Sequence, residues 1–159
     1  MAGKGKGKGQ VVETGTGQDD VLASQSDTSK INGGDGADMI SGGNQAEHVN
    51  AGDGDDTIFG GGGDDTIFGN DGHDTAMYSC SILAYDWSQG KGNSWNVNGA
   101  DGSDTLKHIE VLGFDDFSLN IDGSNNIVYS VADTGETDED SSVDIDVLAN
   151  DIDFDGDAL

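Results

Sequence analysis

The chain has 159 residues, with 32 acidic residues against six lysines and no arginine, and a net charge of −26. Such a surface repels phosphate backbones, which excludes nucleic acid as a partner, and no stretch approaches the roughly 20 apolar residues of a membrane span. Only 33% of residues are apolar and 27 are glycine, so composition alone would read as disorder. The self-repulsion of so many carboxylates makes any compact state conditional on a cation.

Residues 1–13 begin MAGKGKGKGQ, a low-complexity Gly/Lys arm that composition makes flexible. It has basic residues but no apolar core after them, so it is not a secretory signal peptide. Residues 14–22 (TGTGQDDVL) and 24–32 (SQSDTSKIN) look like degenerate repeats, with Ala23 breaking the frame between them. In this reading Asp19 and Val21 hold the acidic and aliphatic places of the first. Ser29 and Ile31 hold those of the second. Terminal repeats are commonly atypical, so 14–32 is expected to lead into a regular block.

That block is 33–77. Written in nines it reads GGDGADMIS, GGNQAEHVN, AGDGDDTIF, GGGGDDTIF, GNDGHDTAM. The sixth place is always acidic: Asp38, Glu47, Asp56, Asp65, Asp74. The eighth is aliphatic (Ile40, Val49, Ile58, Ile67) except for Ala76. Glycine permits the positive φ of tight turns and lets carbonyls converge. In the extended final residues, alternation sends the eighth side chain inward and the seventh and ninth outward.

The block resembles the repeats-in-toxin (RTX, hemolysin-type) family, whose unit is GGxGxDxUx with U a large aliphatic residue. The resemblance implies an all-β fold, a right-handed parallel β-roll with two repeats per circuit, and calcium as the bound ion. Calcium takes six to eight oxygens, which carbonyls and carboxylates supply. The candidate metal residues are Gly33, Gly34, Gly36, Asp38, Glu47, Asp53, Asp56, Gly60, Gly61, Gly63, Asp65, Asp71, Gly72 and Asp74. With that winding, repeats n and n+2 are neighbours. Asp38 with Asp56 and Asp56 with Asp74 are then expected to make two good sites on one side. Glu47 with Asp65 makes a weaker one opposite, because Gln45 replaces a turn glycine there. An ice-binding threonine array is disfavoured, because Thr66 falls on the opposite sheet from Thr57 and Thr75. The outward Phe59, Phe68 and Met77 are expected to be covered by the segment that follows.

Residues 78–122 lose the period and gain aromatics, and read as an irregular β cap on the open end of the roll. Runs at 95–97 and 109–112 suggest short strands. The stretch 101–116, DGSDTLKHIEVLGFDD, is similar to an element that often closes such blocks. Asp101, Asp104, Asp115 and Asp116 read there as turn and edge residues rather than a cation site. Cys80 is the only cysteine, which excludes an internal disulfide, and it reads as a small half-buried apolar residue.

Residues 123–159 change character again, with a loop at 124–126 and a strand at 127–131. Residues 132–159 resemble the start of a bacterial cadherin-like, immunoglobulin-type repeat. A sandwich of that type needs about 100 residues, so an incomplete module, a truncated β-sandwich start, is expected. Asp151, Asp153, Asp155 and Asp157 are candidate ligands of an interdomain calcium linker. An EF-hand reading of the same run lacks a preceding helix and the glutamate at the twelfth position.

No catalytic constellation emerges. His48, His73 and His108 lie in unrelated contexts, no HExxH or GxSxG occurs, and the glycines of 60–63 are not followed by GK[ST]. His108-Ile-Glu110 lacks the paired cysteines of a zinc deaminase. The expectation is therefore a calcium-binding module and not an enzyme. The resemblance implies type I secretion into the calcium-rich exterior, and a secreted or cell-surface location. The parent protein is expected to be a modular adhesin with a cell-surface or matrix ligand. The alternative is a secreted hydrolase or epimerase carrying this chain as its calcium-dependent C-terminal region.

Overall fold

The structure is a computed structural model that describes residues 11–24, 28–124, 126, 128–132 and 151–154. The chain divides into two units, 1–122 and 123–159. The first is a parallel β-roll in which successive short strands alternate between two sheets.

One sheet collects β1 (Val11–Thr14), β3 (Thr28–Asp35), β5 (His48–Asp53), β7 (Thr66–Asp71) and β11 (Gly102–Lys107) as parallel neighbours. It continues antiparallel through β10 (Ser94–Gly99) and β9 (Asp86–Gln89). The other collects β2 (Val21–Ala23), β4 (Met39–Ser41), β6 (Thr57–Phe59), β8 (Thr75–Met77) and β12 (Val111–Gly113). An antiparallel β13 (Ser118–Asn120) closes it. Ile31 pairs with Val49 and Val49 with Ile67, while Ile40 pairs with Ile58 and Ile58 with Ala76. Neighbouring layers are therefore two nine-residue units apart, as the two-repeat winding requires.

The eighth-place side chains form two buried columns. Ile31, Val49, Ile67 and Leu106 come from one sheet; Leu22, Ile40, Ile58, Ala76 and Leu112 come from the other, none more than 9% exposed. Burying each large aliphatic side chain contributes about 1.5–3 kcal/mol. With one such residue per nine, the columns alone give little against the ordering cost of about 1–2 kcal/mol per backbone residue.

Three expectations need correction. First, the roll starts earlier and in a different frame. Val11 to Glu13 lie in β1 rather than in the arm, and Val21 pairs with Met39 and Leu22 with Ile40. Leu22 is the inward residue and Val21 is 79% exposed. The unit is thus 15–23, contiguous with 24–32, and Ala23 is its ninth residue rather than a break. Thr16 and Gln18 in place of glycine hid this.

Second, the roll does not end at Met77. The chain leaves it through a 3-10 turn (Ile82–Ala84), β9 and β10, then returns as β11 and β12. Leu106 pairs with Ile67 and Leu112 with Ala76, in register with both columns. The detour packs Tyr78, Tyr85 and Trp87 against Phe114, with ring centroids 5.4–6.0 Å from it. Tyr78 and Phe114 stack at 23° between planes. Asp101 ties the detour down, accepting from the Tyr85 hydroxyl at 2.6 Å, the Ser79 hydroxyl at 2.7 Å and the Ser79 N–H at 3.0 Å.

Third, Phe59 and Phe68 stay half-buried and Met77 is 37% exposed. The later segment adds strands beside them instead of a layer over them. Phe68 meets the His48 ring at 5.2 Å, and the Lys107 ammonium lies 5.2 Å from its centroid. Thr57 and Thr75 pair on one sheet while Thr66 lies on the other, as expected.

In the second unit, Tyr129 and Ile152 form an isolated antiparallel bridge, and Asp151 Oδ1 accepts the Val131 N–H at 2.8 Å. The bridge stands where a strand at 127–131 was expected. Most of the cadherin-like stretch, 133–150 and 155–159 with Asp155 and Asp157, lies outside the described residues, as does 1–10.

The frame of the first unit is tested by a pair of truncations. Leu22→Ala should cost about 2–5 kcal/mol of stability in saturating calcium, the range for buried leucines. Val21→Ala should stay within about 0.5 kcal/mol. Urea unfolding of both variants checks this; the reverse order would restore the frame 14–22.

Candidate metal centre

Each sixth-place acid sits at the turn just before a short strand, and the turns stack layer upon layer. Two rows of carboxylates result. In the first, the Asp20 N–H donates to Asp38 Oδ1 at 2.9 Å, and Asp38 to Asp56 Oδ1 at 2.8 Å. Asp56 then donates to Asp74 Oδ1 at 2.9 Å, and Asp74 to Glu110 Oε2 at 2.8 Å. In the second, Glu47 donates to Asp65 Oδ1 at 2.8 Å and Asp65 to Asp104 Oδ1 at 2.9 Å.

One oxygen of each of Asp38, Asp56, Asp65 and Asp74 is thereby used to join layers. The other is not. Asp38, Asp56, Asp65 and Asp74 Oδ2, and Glu47 Oε1, are buried without a hydrogen-bond partner, on residues at most 4% exposed. Buried unsatisfied oxygens are costly and call for an ion or water. Their surroundings point to an ion. A methyl group on Gly33 would strike Asp38 Oδ2 and the Ala51 carbonyl. On Gly42 it would strike the Gly60 carbonyl and crowd Glu47 Oε2; on Gly60 it would strike Asp65 Oδ2. Carboxylate and carbonyl oxygens thus converge beside the first residue of a repeat, a donor set suited to a hard cation such as calcium.

The turn glycines take the backbone geometry that this stacking needs. Gly36 has φ 112° and Gly54 φ 126°, and a methyl on Gly54 would strike the carbonyl of Gly36 in the layer before. Gly34, Gly61, Gly63 and Gly72 are also left-handed. In 42–50 neither Gly43 nor Gln45 is. There the longer Glu47 folds back, and its Oε2 accepts the Gly43 N–H at 3.0 Å. Asp53 and Asp71 are placed differently from the rows. They are exposed and pair with each other at the ends of β5 and β7, and their carbonyls accept from Gly36 and Gly54 at 2.7 Å.

Asp20 and Glu110 are row members that the sequence reading passed over, and Asp104 is one that it read as a turn or edge residue. Asp104 carries a legible signal, since 99–107 (GADGSDTLK) fits the nine-residue grammar with Asp104 sixth and Leu106 eighth. The intervening detour obscured it. Asp20 was masked by the one-residue shift of frame, and its Oδ2 is already taken by the N–H and hydroxyl of Thr16. Glu110 has no repeat around it and is placed by the pairing of β12 with β8. Among the described residues no three Asp, Glu, His or Cys side chains gather at one point. The arrangement therefore relies on backbone carbonyls for much of any coordination sphere.

Burial dominates the electrostatics. It pushes Asp65 up to about 7 and Asp74 and Asp104 each to about 6, and it raises Asp56 and Glu47 above the ordinary carboxylate range. Asp101 differs. Burial works to raise it, but hydrogen bonds from Tyr85 and Ser79 outweigh that and hold it below its usual value.

Residues 14–46 and 41–76 match the family model of the RTX calcium-binding nonapeptide repeat, in four copies. The chain thus carries RTX repeats, and such repeats bind calcium. The β-roll that they build is a structural calcium-binding module. No curated protein matches the chain. Among the described residues no helix is long and apolar enough to cross a membrane.

These acids bind protons more tightly in the calcium-free roll than in the unfolded chain. Their contribution to stability is therefore full below about pH 4 and is lost as the pH rises through 6–7. Without calcium, the roll should become more stable as the pH falls from 7.5 to 4.5, and the easing of net charge acts in the same direction. Far-UV circular dichroism of chelator-treated protein at several pH values measures this, with β signal expected to grow as the pH falls. Stability that falls on acidification would contradict the buried rows.

Proposed function

We propose that residues 14–122 form a calcium-dependent folding module of a secreted or surface protein. Asp38 with Asp56, and Asp56 with Asp74, hold calcium on the first row. Glu47 with Asp65 makes a weaker site on the second. Gly33, Gly34, Gly36, Gly60, Gly61, Gly63 and Gly72 shape the turns and bring in carbonyl oxygens. The observation that carries this reading is the set of five buried carboxylate oxygens without partners, aligned in rows. A bound calcium supplies positive charge that cancels the repulsion between stacked acids.

The energetic consequence is large. At a calcium concentration a thousand times the dissociation constant, each independent site adds about 4 kcal/mol. That is comparable with the whole stability of a small domain. The chain is therefore unfolded or loosely ordered at low calcium and folds where calcium is plentiful. This suits export in an unfolded state by type I secretion. A modular adhesin is the parent favoured by the sequence order of roll then cadherin-like stretch, with a cell-surface or matrix ligand bound elsewhere in the protein. A calcium-dependent tail of a secreted hydrolase or epimerase is the alternative. The coding sequence on either side separates them, because further cadherin-like repeats mean adhesin and an upstream catalytic motif means enzyme.

Far-UV circular dichroism in chelator and then in millimolar calcium should show a coil-like spectrum converting to β; an unchanged spectrum would refute calcium-driven folding. Asp56 faces two sites of the first row, whereas Glu47 faces one and is half engaged by Gly43. Asp56→Ala should therefore raise the calcium midpoint for folding by more than Glu47→Ala. Equal shifts would mean that the sharing of Asp56 between layers is wrong.

A further inference from the structure

The first row does not stop at the last repeat. Beside Gly69, the first residue of 69–77, two oxygens converge: Asp74 Oδ2 and the carbonyl of His108, both of which a methyl group would strike. At Gly33 the same places are held by Asp38 Oδ2 and the Ala51 carbonyl, where Ala51 opens the repeat of the next layer. His108 opens no repeat, yet its carbonyl occupies the equivalent position. Its backbone is left-handed at φ 51°, an uncommon conformation for a residue with a Cβ. Two residues on, Glu110 Oε2 accepts the Asp74 N–H at 2.8 Å, and the N–H groups of Glu110 and Val111 both reach the Asp74 carbonyl at 3.1 Å. Asp74 is 0% exposed and its Oδ2 has no partner. A buried, unsatisfied oxygen therefore points into a cradle whose far wall comes from outside the matched repeats, which end at residue 76.

We propose that Asp74, Glu110 and the His108 carbonyl form an additional calcium site that closes the first row and joins the roll to the returning strand β12. It rests on the reading of the rows as calcium sites. The site makes docking of the 108–113 segment calcium-dependent, so that the roll and its C-terminal closure are stabilised by the same ion.

Two experiments decide it. In crystals of the calcium-loaded full chain, an anomalous difference map should show a peak about 2.3–2.6 Å from Asp74 Oδ2, the Glu110 carboxylate and the His108 oxygen. Peaks between Asp38 and Asp56 with none at this place would overturn the site and leave the repeats' calcium binding intact. No peak anywhere would overturn both. In solution, Glu110→Gln keeps an acceptor for the Asp74 N–H but removes the charge. Equilibrium dialysis should find one calcium fewer per chain than for the unaltered protein. Asp115→Asn, which removes the same charge from an exposed position nearby, should bind the full number. An unchanged number and affinity in Glu110→Gln, or an equal loss in Asp115→Asn, would overturn the proposal.

Discussion

The roll depends on a division of labour within the buried carboxylates of Asp38, Asp56, Asp65 and Asp74. One oxygen accepts an N–H from the adjacent layer, which sets the spacing and register of the stack. The other is left without a protein partner at nearly zero exposure. A hydrogen-bonded ladder alone would leave a line of repelling, desolvated charges at its centre, which is costly in low dielectric. The calcium proposed between layers would convert that cost into attraction. The first-residue glycines follow from it, because a side chain there would occupy the space in which the oxygens meet. So does the thin hydrophobic core, whose two columns guide the winding but do not have to carry the stability alone.

The same ladder explains how the chain can leave the roll and come back. A parallel layer needs only a short strand in register, and it is indifferent to how much chain lies between. The detour through β9 and β10 builds an aromatic cluster around Phe114, and Asp101 fastens it with three hydrogen bonds. The Asp101 carbonyl also accepts the Gly63 N–H at 2.8 Å, so the anchor of the detour belongs to the stack of turns as well. Asp104 and Glu110 then continue the two rows. The cap is thus partly made of the roll itself. Asp53 and Asp71 stand apart from the rows, exposed at the ends of β5 and β7.

The sequence by itself determined the repeat, the inward column and the acids of 33–77, because a strict period leaves one consistent choice of which side chains face in. It also determined the n to n+2 pairing once two units per circuit were assumed, and it marked 42–50 as the irregular turn through Gln45. The tertiary structure alone decided where the roll begins and ends. At 15–23 Thr16 and Gln18 stand where the frame-marking glycines would, so only the pairing of Leu22 with Ile40 distinguishes it from a frame one residue away. At 99–113 the local grammar was present in GADGSDTLK, but chain connectivity hid that it stacks on 60–68. The left-handed His108 and the capture of Glu110 by the Asp74 N–H have no local signature at all. They follow from the pairing of β12 with β8 and its hydrogen bonds to Asp74, and that is a property of the stack rather than of the residues that join it.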